Sequence, residues 1–218
     1  SDVKRREGST AKMEFSRVVP QSDGAGIIDA VGEGVPAERV GERVWLWNAQ
    51  FGRPFGTAAQ YVALPSEQAV RLPDNVDFAA GACLGIPALT AHYGLFADGP
   101  IAGQTVLISG GSGAVGNAAV QLAKWGGATA ITTVSSQDKA EVARAAGADY
   151  ILNYRNENVQ ARIKDITGGK GVDRIVEVAF ASNLALDLAV LKQSGVLATY
   201  GSDAEREPRI PFFTLLTN

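Results

Sequence analysis

After Gly103 short runs rich in apolar and β-branched residues, of which "TVLIS" is the most continuous, alternate with stretches in which apolar positions return at helical spacing. The runs predict strands at Thr105–Ser109, Thr129–Val134, Tyr150–Asn153, Asp173–Val178 and Val196–Tyr200. The stretches near 114–125, 138–146, 157–167 and 183–192 predict helices. Strands alternating with helices of this length imply right-handed crossovers and a parallel sheet covered on both faces. Upstream the rhythm differs. Between Asp23 and Leu72, "GAGIIDAVGEGV", "VGERVWLW" and "GTAAQYVAL" read as three short strands punctuated by glycine turns. Behind the turn Pro73-Asp74-Asn75, "PDNVDFAAGACLGIPALTAHYGLF" becomes helical. Two rhythms predict two domains, residues 1–93 and 94–218, with no internal repeat in either.

The junction between the first strand of the second half and its helix reads "TVLISGGSGAVGNAAVQLAKWGG". Gly111, Gly113 and Gly116 occupy the three glycine places of G-x-G-x-x-G. In that pattern the first glycine permits a tight turn and the second lets a pyrophosphate lie against bare backbone. The third allows close packing of the helix. The unpaired amides and dipole of the following helix favour phosphate. An acid at the end of the next strand would bind ribose hydroxyls and select NAD. That strand ends "ITTVSSQDK", with Ser135 and Ser136 in the acid's place and Lys139 close behind, a set suited to a 2′-phosphate. NADPH is therefore the expected cofactor; Asp138, shifted by a few residues, is the candidate for the opposite, NAD-type reading.

Composition narrows the chemistry. The chain has 218 residues, 46% of them hydrophobic, and a net charge of −3, which disfavours nucleic acid or an anionic membrane as main partner. No run reaches the roughly 18 apolar residues of a membrane span, and "SDVKRREGST" has no apolar signal core. Cys83 is the sole cysteine and His92 the sole histidine, so an internal disulfide, a zinc finger and a two-histidine metal site are excluded within this chain. A reducing, cytoplasmic setting is expected. Cys83 reads as a small buried hydrophobe and His92, in "ALTAHYGLF", as a packed or half-exposed structural residue. Trp45, Trp47, Phe51 and Phe55 read equally as core aromatics or as the lining of a cleft.

Taken in order, "DGAGIIDAVGEGV", "GERVW", "GIPALTAHYGL", "VLISGGSGAVGNAAVQLAKWGGA", "AAGADYILNYR", "GGKGVDRIVEV" and "GVLATYGS" resemble the medium-chain dehydrogenase/reductases. Within them the resemblance is to the zinc-independent, ζ-crystallin-like quinone oxidoreductases, over essentially the whole chain. It implies an α/β protein whose doubly wound Rossmann sheet is preceded by a partial GroES-like β domain, with a cleft between them. It implies cofactor contacts at Gly111, Ser112, Gly113, Ala114, Val115 and Gly116, and a 2′-phosphate pocket of Ser135, Lys139 and Tyr154. Ala181, Tyr200, Gly201 and Ser202 would line the nicotinamide side, and Thr90 would face the ring. The family's "N-P-x-D-x-Y" segment survives as "SDVK", with Asp2 retained and Lys4 in the tyrosine's place; phosphate binding, proton donation and simple solvation are all open to that lysine.

Zinc-dependent relatives carry Gly-His-Glu ahead of the "AGIIDAVG"-like strand and an earlier catalytic cysteine. Here Ser22-Asp23 stands in that place and no cysteine precedes Cys83. Alcohol–carbonyl interconversion needs a Lewis acid or strong proton donor for the developing alkoxide. A quinone takes hydride more readily, since the charge spreads into an aromatic ring. The resemblance thus implies NADPH-dependent quinone reduction without metal. The alternatives are reduction of an enone or enoyl group, and a non-catalytic, crystallin-like nucleotide-binding role. The chain is also expected to be part of a longer protein, beginning inside the first domain and stopping before a last Rossmann strand through which relatives often dimerise.

Overall fold

The computed structural model describes residues 3, 6–8, 14–202, 204, 205 and 207–217; Asp2 and Lys4 lie outside the described residues. The chain divides into two units, Ser1–Leu89 and Thr90–Asn218. In the first, β1 (Gly24–Ile27), β2 (Arg43–Leu46) and β3 (Ala69–Arg71) form an antiparallel sheet in that order. The expected strand in "GTAAQYVAL" is absent, and β3 is built from "AVR" instead. The first amides of that segment are already used: those of Gly56, Thr57 and Ala58 donate to the carbonyls of Val19, Gln21 and Pro20. The rest runs across a cavity of about 450 Å³, lined on the other side by Gly24–Val31, so no ladder forms.

A short helix, α1 (Phe78–Gly81), follows, with the Asp77 carboxylate capping the Ala80 amide at 2.7 Å. The helical stretch then breaks at Gly85, whose backbone is non-helical, and passes Pro87 in a wide turn, Leu84–Ala88. A side chain at Gly85 would collide with Asp23, whose Oδ1 accepts the Ile86 amide at 2.8 Å. Cys83, expected to be buried, is exposed in this interrupted stretch, because the break leaves no continuous helical face to bury it. Phe51 and Phe55 are exposed (74% and 62%), while Trp45 and Trp47 are half-buried, so none of the four is a fully buried core residue.

The second unit opens with α2 (Leu89–Phe96), which begins one residue before the division. Five strands follow: β4 (Thr105–Ile108), β5 (Thr129–Val134), β6 (Tyr150–Asn153), β7 (Val172–Glu177) and β8 (Leu191–Thr199). All pair in parallel in the order β6-β5-β4-β7-β8, the doubly wound arrangement, with the order reversing between β4 and β7. The crossover helices are α3 (Ala114–Trp125), α4 (Gln137–Ala145), α5 (Val159–Ile166) and α6 (Phe180–Val190); α7 (Phe212–Thr217) follows β8. Ser136 caps α4 and Asn158 caps α5 through their side-chain oxygens.

The apolar and β-branched runs are explained by two-sided burial. Val106, Ile108, Ala130 and Val176 point into a core under α2 and α3, and Leu107, Ile131 and Ile175 into one under α5 and α6. The last strand departs from expectation. It begins at Leu191 rather than Val196, because Leu191 pairs with Val172 and the chain then bulges before Val196 meets Arg174. Ser194, at φ 60°, makes that excursion. Inside the first core face, the buried Arg174 guanidinium donates to the Gly94 carbonyl at 2.9 Å and pairs with Asp98. The Arg174 hydrogen bond holds the Asp98 carboxyl below the usual carboxylate range.

Candidate functional site

In a sheet of this order, ligands are received at the carboxyl ends of the strands where the order reverses. Here the β4–α3 and β7–α6 connections meet that position. The β4–α3 connection is the glycine loop, and its glycines divide into two kinds. Gly110, at φ 72°, makes the turn, a role expected of Gly111. Gly111 is buried and must lack a side chain for another reason: a methyl there would strike Thr132 of β5. Gly116 is buried, and a methyl would strike the Gly110 carbonyl, the close packing expected of the third glycine. Thr132 and Thr133 carry no signal in the strand pattern beyond β-branching, yet both support this loop. The Thr132 hydroxyl donates to the Ile108 carbonyl at 2.7 Å, and Thr133 accepts the Gly110 amide on its hydroxyl (3.2 Å) and the Gly111 amide on its carbonyl (3.2 Å).

Gly113 differs. It is exposed, its φ of −79° suits any residue, and a methyl would meet nothing nearer than the Gly110 oxygen at 3.4 Å. Neither the backbone nor internal packing requires glycine there. It caps α3 without a side chain, and the first helical bond runs from the Asn117 amide to the Gly113 carbonyl. The amides of Ala114, Val115 and Gly116 therefore have no acceptor within the helix. Bare backbone, amides without an acceptor in the helix, and a helix N-terminus form a cradle that a side chain would fill, and its donor set fits a phosphate. Ser112 and Val115 flank it, half-buried.

Ser135, Lys139 and Tyr154 come together at the ends of β5 and β6. Lys139 Nζ donates to Ser135 Oγ at 2.8 Å, and the Tyr154 amide donates to the Val134 carbonyl, leaving the tyrosine ring exposed. Asp138 lies in the first turn of α4, also exposed. On the other side of the reversal, the loops after β7 and β8 are tied to one another. The Phe180 amide donates to the Gly201 carbonyl at 3.0 Å and the Ala181 amide to Ser202 Oγ at 3.3 Å, while Ser202 Oγ donates to the Glu205 carbonyl at 2.6 Å. Tyr200 sits among these loops, but its ring packs on the core beneath α2. Burial, with the Glu177 charge adding to it, pushes its phenol up to about 12.

Helix α2 runs antiparallel to β7, since Gly94 lies over Val176 and Asp98 pairs with Arg174 earlier in the strand. Its first turn, with Thr90, thus reaches the same carboxyl end as these loops. His92 is exposed and its ring stands 5.0 Å from that of Phe96.

Beneath the loops lie two carboxyls absent from the sequence expectations. Glu177 ends β7 fully buried, accepting from Ser109 Oγ, the Ala179 amide and Asn183 Nδ2. Asp187, one turn beyond Asn183 on α6, is fully buried with neither oxygen hydrogen-bonded. Burial and then the Glu177 charge push its carboxyl up to about 8. Strand "VDRIVEV" and helix "ALDLAV" look wholly structural in sequence, and their acids become visible only when the two elements pack. Among the described residues no group of three His, Cys, Asp or Glu side chains is placed to hold a metal ion, and no helix is long and apolar enough to cross a membrane.

Fold and loop geometry together define a Rossmann-type α/β unit preceded by an antiparallel β unit. Comparison with known proteins sharpens this. Residues 1–74 match the alcohol dehydrogenase GroES-like domain and residues 114–218 the zinc-binding dehydrogenase family. The human quinone oxidoreductase is 33% identical over 198 residues, 90% of this chain and 59% of that protein. A 2-haloacrylate reductase from Burkholderia sp is 33% identical over 189 residues, 84% of this chain and 55% of that protein. The solved Escherichia coli quinone oxidoreductase, complexed with NADPH, superposes with a TM-score of 0.83 at 28% identity, covering 99% of this chain and 65% of that one. The chain belongs to the medium-chain dehydrogenase/reductase family, in its quinone oxidoreductase branch. It spans less than two thirds of the length of these relatives.

Proposed function

We propose that this chain binds NADPH and serves the two-electron reduction of a quinone without a metal ion. The observation that carries the reading is Gly113, a glycine that neither conformation nor internal packing demands, at the point where a diphosphate would approach the start of α3. The amides of Ala114 and Val115 would bind the diphosphate, with Ser112 beside it. Gly111 and Gly116 shape the cradle from within. Lys139, oriented by Ser135 and flanked by Tyr154, would neutralise a 2′-phosphate. Ala181, Gly201 and Ser202, with Tyr200 behind them and Thr90 opposite, would orient the nicotinamide. When bound, the cofactor supplies the hydride; the protein's part is to hold it in one orientation and to exclude water. With one cysteine and one histidine in the chain, a quinone, which needs no Lewis acid, suits its residues better than an alcohol.

Names borne by relatives support the same reading: quinone oxidoreductase for the human protein, and a complex with NADPH for the Escherichia coli one. A second reading, transfer to an activated alkene, is supported by the relative named 2-haloacrylate reductase and needs a proton donor to carbon. Steady-state kinetics with a naphthoquinone and with an enone, each with NADPH and NADH, test both. Quinone turnover with NADPH preferred at least roughly tenfold is expected from a built 2′-phosphate site. A tenfold preference for NADH would overturn the cofactor reading, and enone turnover without quinone turnover would replace the substrate reading. Binding of NADPH with no turnover of any acceptor would leave a nucleotide-binding role alone.

A further inference from the structure

We propose that Glu177 is a positioning residue that holds the glycine loop and the nicotinamide-side loops in fixed register, so that both ends of one dinucleotide are engaged together. This rests on the dinucleotide reading above and names a residue that does not itself meet the ligand. Glu177 is the last residue of β7, directly across the sheet reversal from β4, and none of its side chain reaches solvent. Its carboxylate accepts from three donors on two pieces of chain, the end of β4 and the start of α6. Ser109 Oγ, at 2.5 Å, belongs to the residue immediately before the Gly110 turn. The Ala179 amide, at 2.5 Å, begins the β7–α6 connection. Asn183 Nδ2, at 3.1 Å from each oxygen, comes from the first turns of α6.

The tie extends beyond the carboxylate. The Glu177 carbonyl accepts the Tyr200 amide at 3.0 Å, and the next residues after Ala179, Phe180 and Ala181, bond to Gly201 and Ser202. One residue therefore links the head of the phosphate cradle to both loops on the opposite side. The chemistry is specific to an acid. A carboxylate is acceptor-only, with about four lone-pair sites, so three donors can converge on it. Glutamine of the same shape would turn an NH2 group toward one of them. Among the described residues no cation pairs with Glu177, so an ion pair does not explain why an acid is buried there; the converging donors do.

The test is titration of wild type, Glu177→Gln and Ser109→Ala with two ligands, alongside thermal unfolding. NADPH needs both sets of loops; adenosine 2′,5′-bisphosphate needs only the cradle and the Lys139 end. The expected result for Glu177→Gln is a loss of NADPH affinity of roughly tenfold or more, with the bisphosphate held within about threefold. Ser109→Ala, which keeps the carboxylate and removes one donor, is expected to show the same split at smaller size, and it carries the test if the glutamine variant does not fold. Unchanged affinity for NADPH, or parallel loss of both ligands, would overturn the inference while leaving NADPH binding by the wild type intact. A wild type that binds neither ligand would overturn the dinucleotide reading itself, and this inference with it.

Discussion

Replacing Asp187 by asparagine tests the buried acid on α6 directly. In the native protein its carboxyl is pushed up to about 8 from an ordinary 3.8, because it is buried without a hydrogen-bond partner and faces the Glu177 charge. The unfolded chain ionises Asp187 near its ordinary value, so between about pH 4 and pH 8 the native state holds a proton that the unfolded state has lost. Stability is therefore greatest below the unfolded value and declines as pH rises toward the native one. The slope approaches about 1.4 kcal/mol per pH unit, or about 2.7 kcal/mol between pH 5 and pH 7. Asparagine titrates in neither state, so this contribution vanishes in the variant. The difference between the two proteins should be near zero at pH 4 and about 4 kcal/mol in favour of the variant at pH 7. Urea unfolding followed by the helical circular dichroism signal measures it, since six of the seven numbered helices belong wholly or mainly to the second unit. Asp187→Leu should share the flattened profile. A constant difference between wild type and both variants from pH 5 to pH 8 would refute the assignment of a proton to this buried carboxyl.

The two kinds of glycine should separate cleanly. Gly116→Ala forces a methyl into the Gly110 carbonyl and should cost about 1–3 kcal/mol in urea unfolding, whereas Gly113→Ala should cost under about 1 kcal/mol yet abolish measurable NADPH binding. Lys139→Ala should leave the melting temperature unchanged and cut the preference for NADPH over NADH by roughly tenfold, read from kcat/KM with both cofactors. Arg174→Met removes the bond to the Gly94 carbonyl and the partner of Asp98; because Asp98 is half-exposed and stays hydrated, the loss in urea unfolding should be about 1–3 kcal/mol rather than the larger cost of a stranded buried charge.

Much of the second unit is legible in the sequence. A strand buried on both faces is mostly apolar or β-branched, so "TVLI", "TAITTV" and the "RIV" of β7 stand out, and β5, β6 and α3 lie where the pattern puts them. The first unit was less legible. Its strands are three or four residues long, too short for alternation to separate a strand from an extended loop. "GTAAQYVAL" has strand composition, but its first three amides are taken by the Val19–Gln21 carbonyls and the rest runs along a cavity. The exposed Cys83 follows from a break at Gly85 that depends on Asp23, 62 positions earlier in the chain, filling the space of the missing side chain.

The site divides along the same line. By itself the sequence determined the glycine loop, the parallel sheet that carries it and the serine–lysine pair at the next strand, because these depend on residues close together in the chain. Tertiary structure alone decided which glycine turns the backbone, which packs inward and which stays exposed with neither constraint, since those roles depend on Thr132 and Gly110 meeting them across the sheet and the loop. It also decided that Glu177, Asn183, Ser109 and Asp187 form one buried acidic cluster. Hydrogen-bond partnership and desolvation are properties of what surrounds a side chain, and along the chain 68 positions separate Ser109 from the carboxylate it serves.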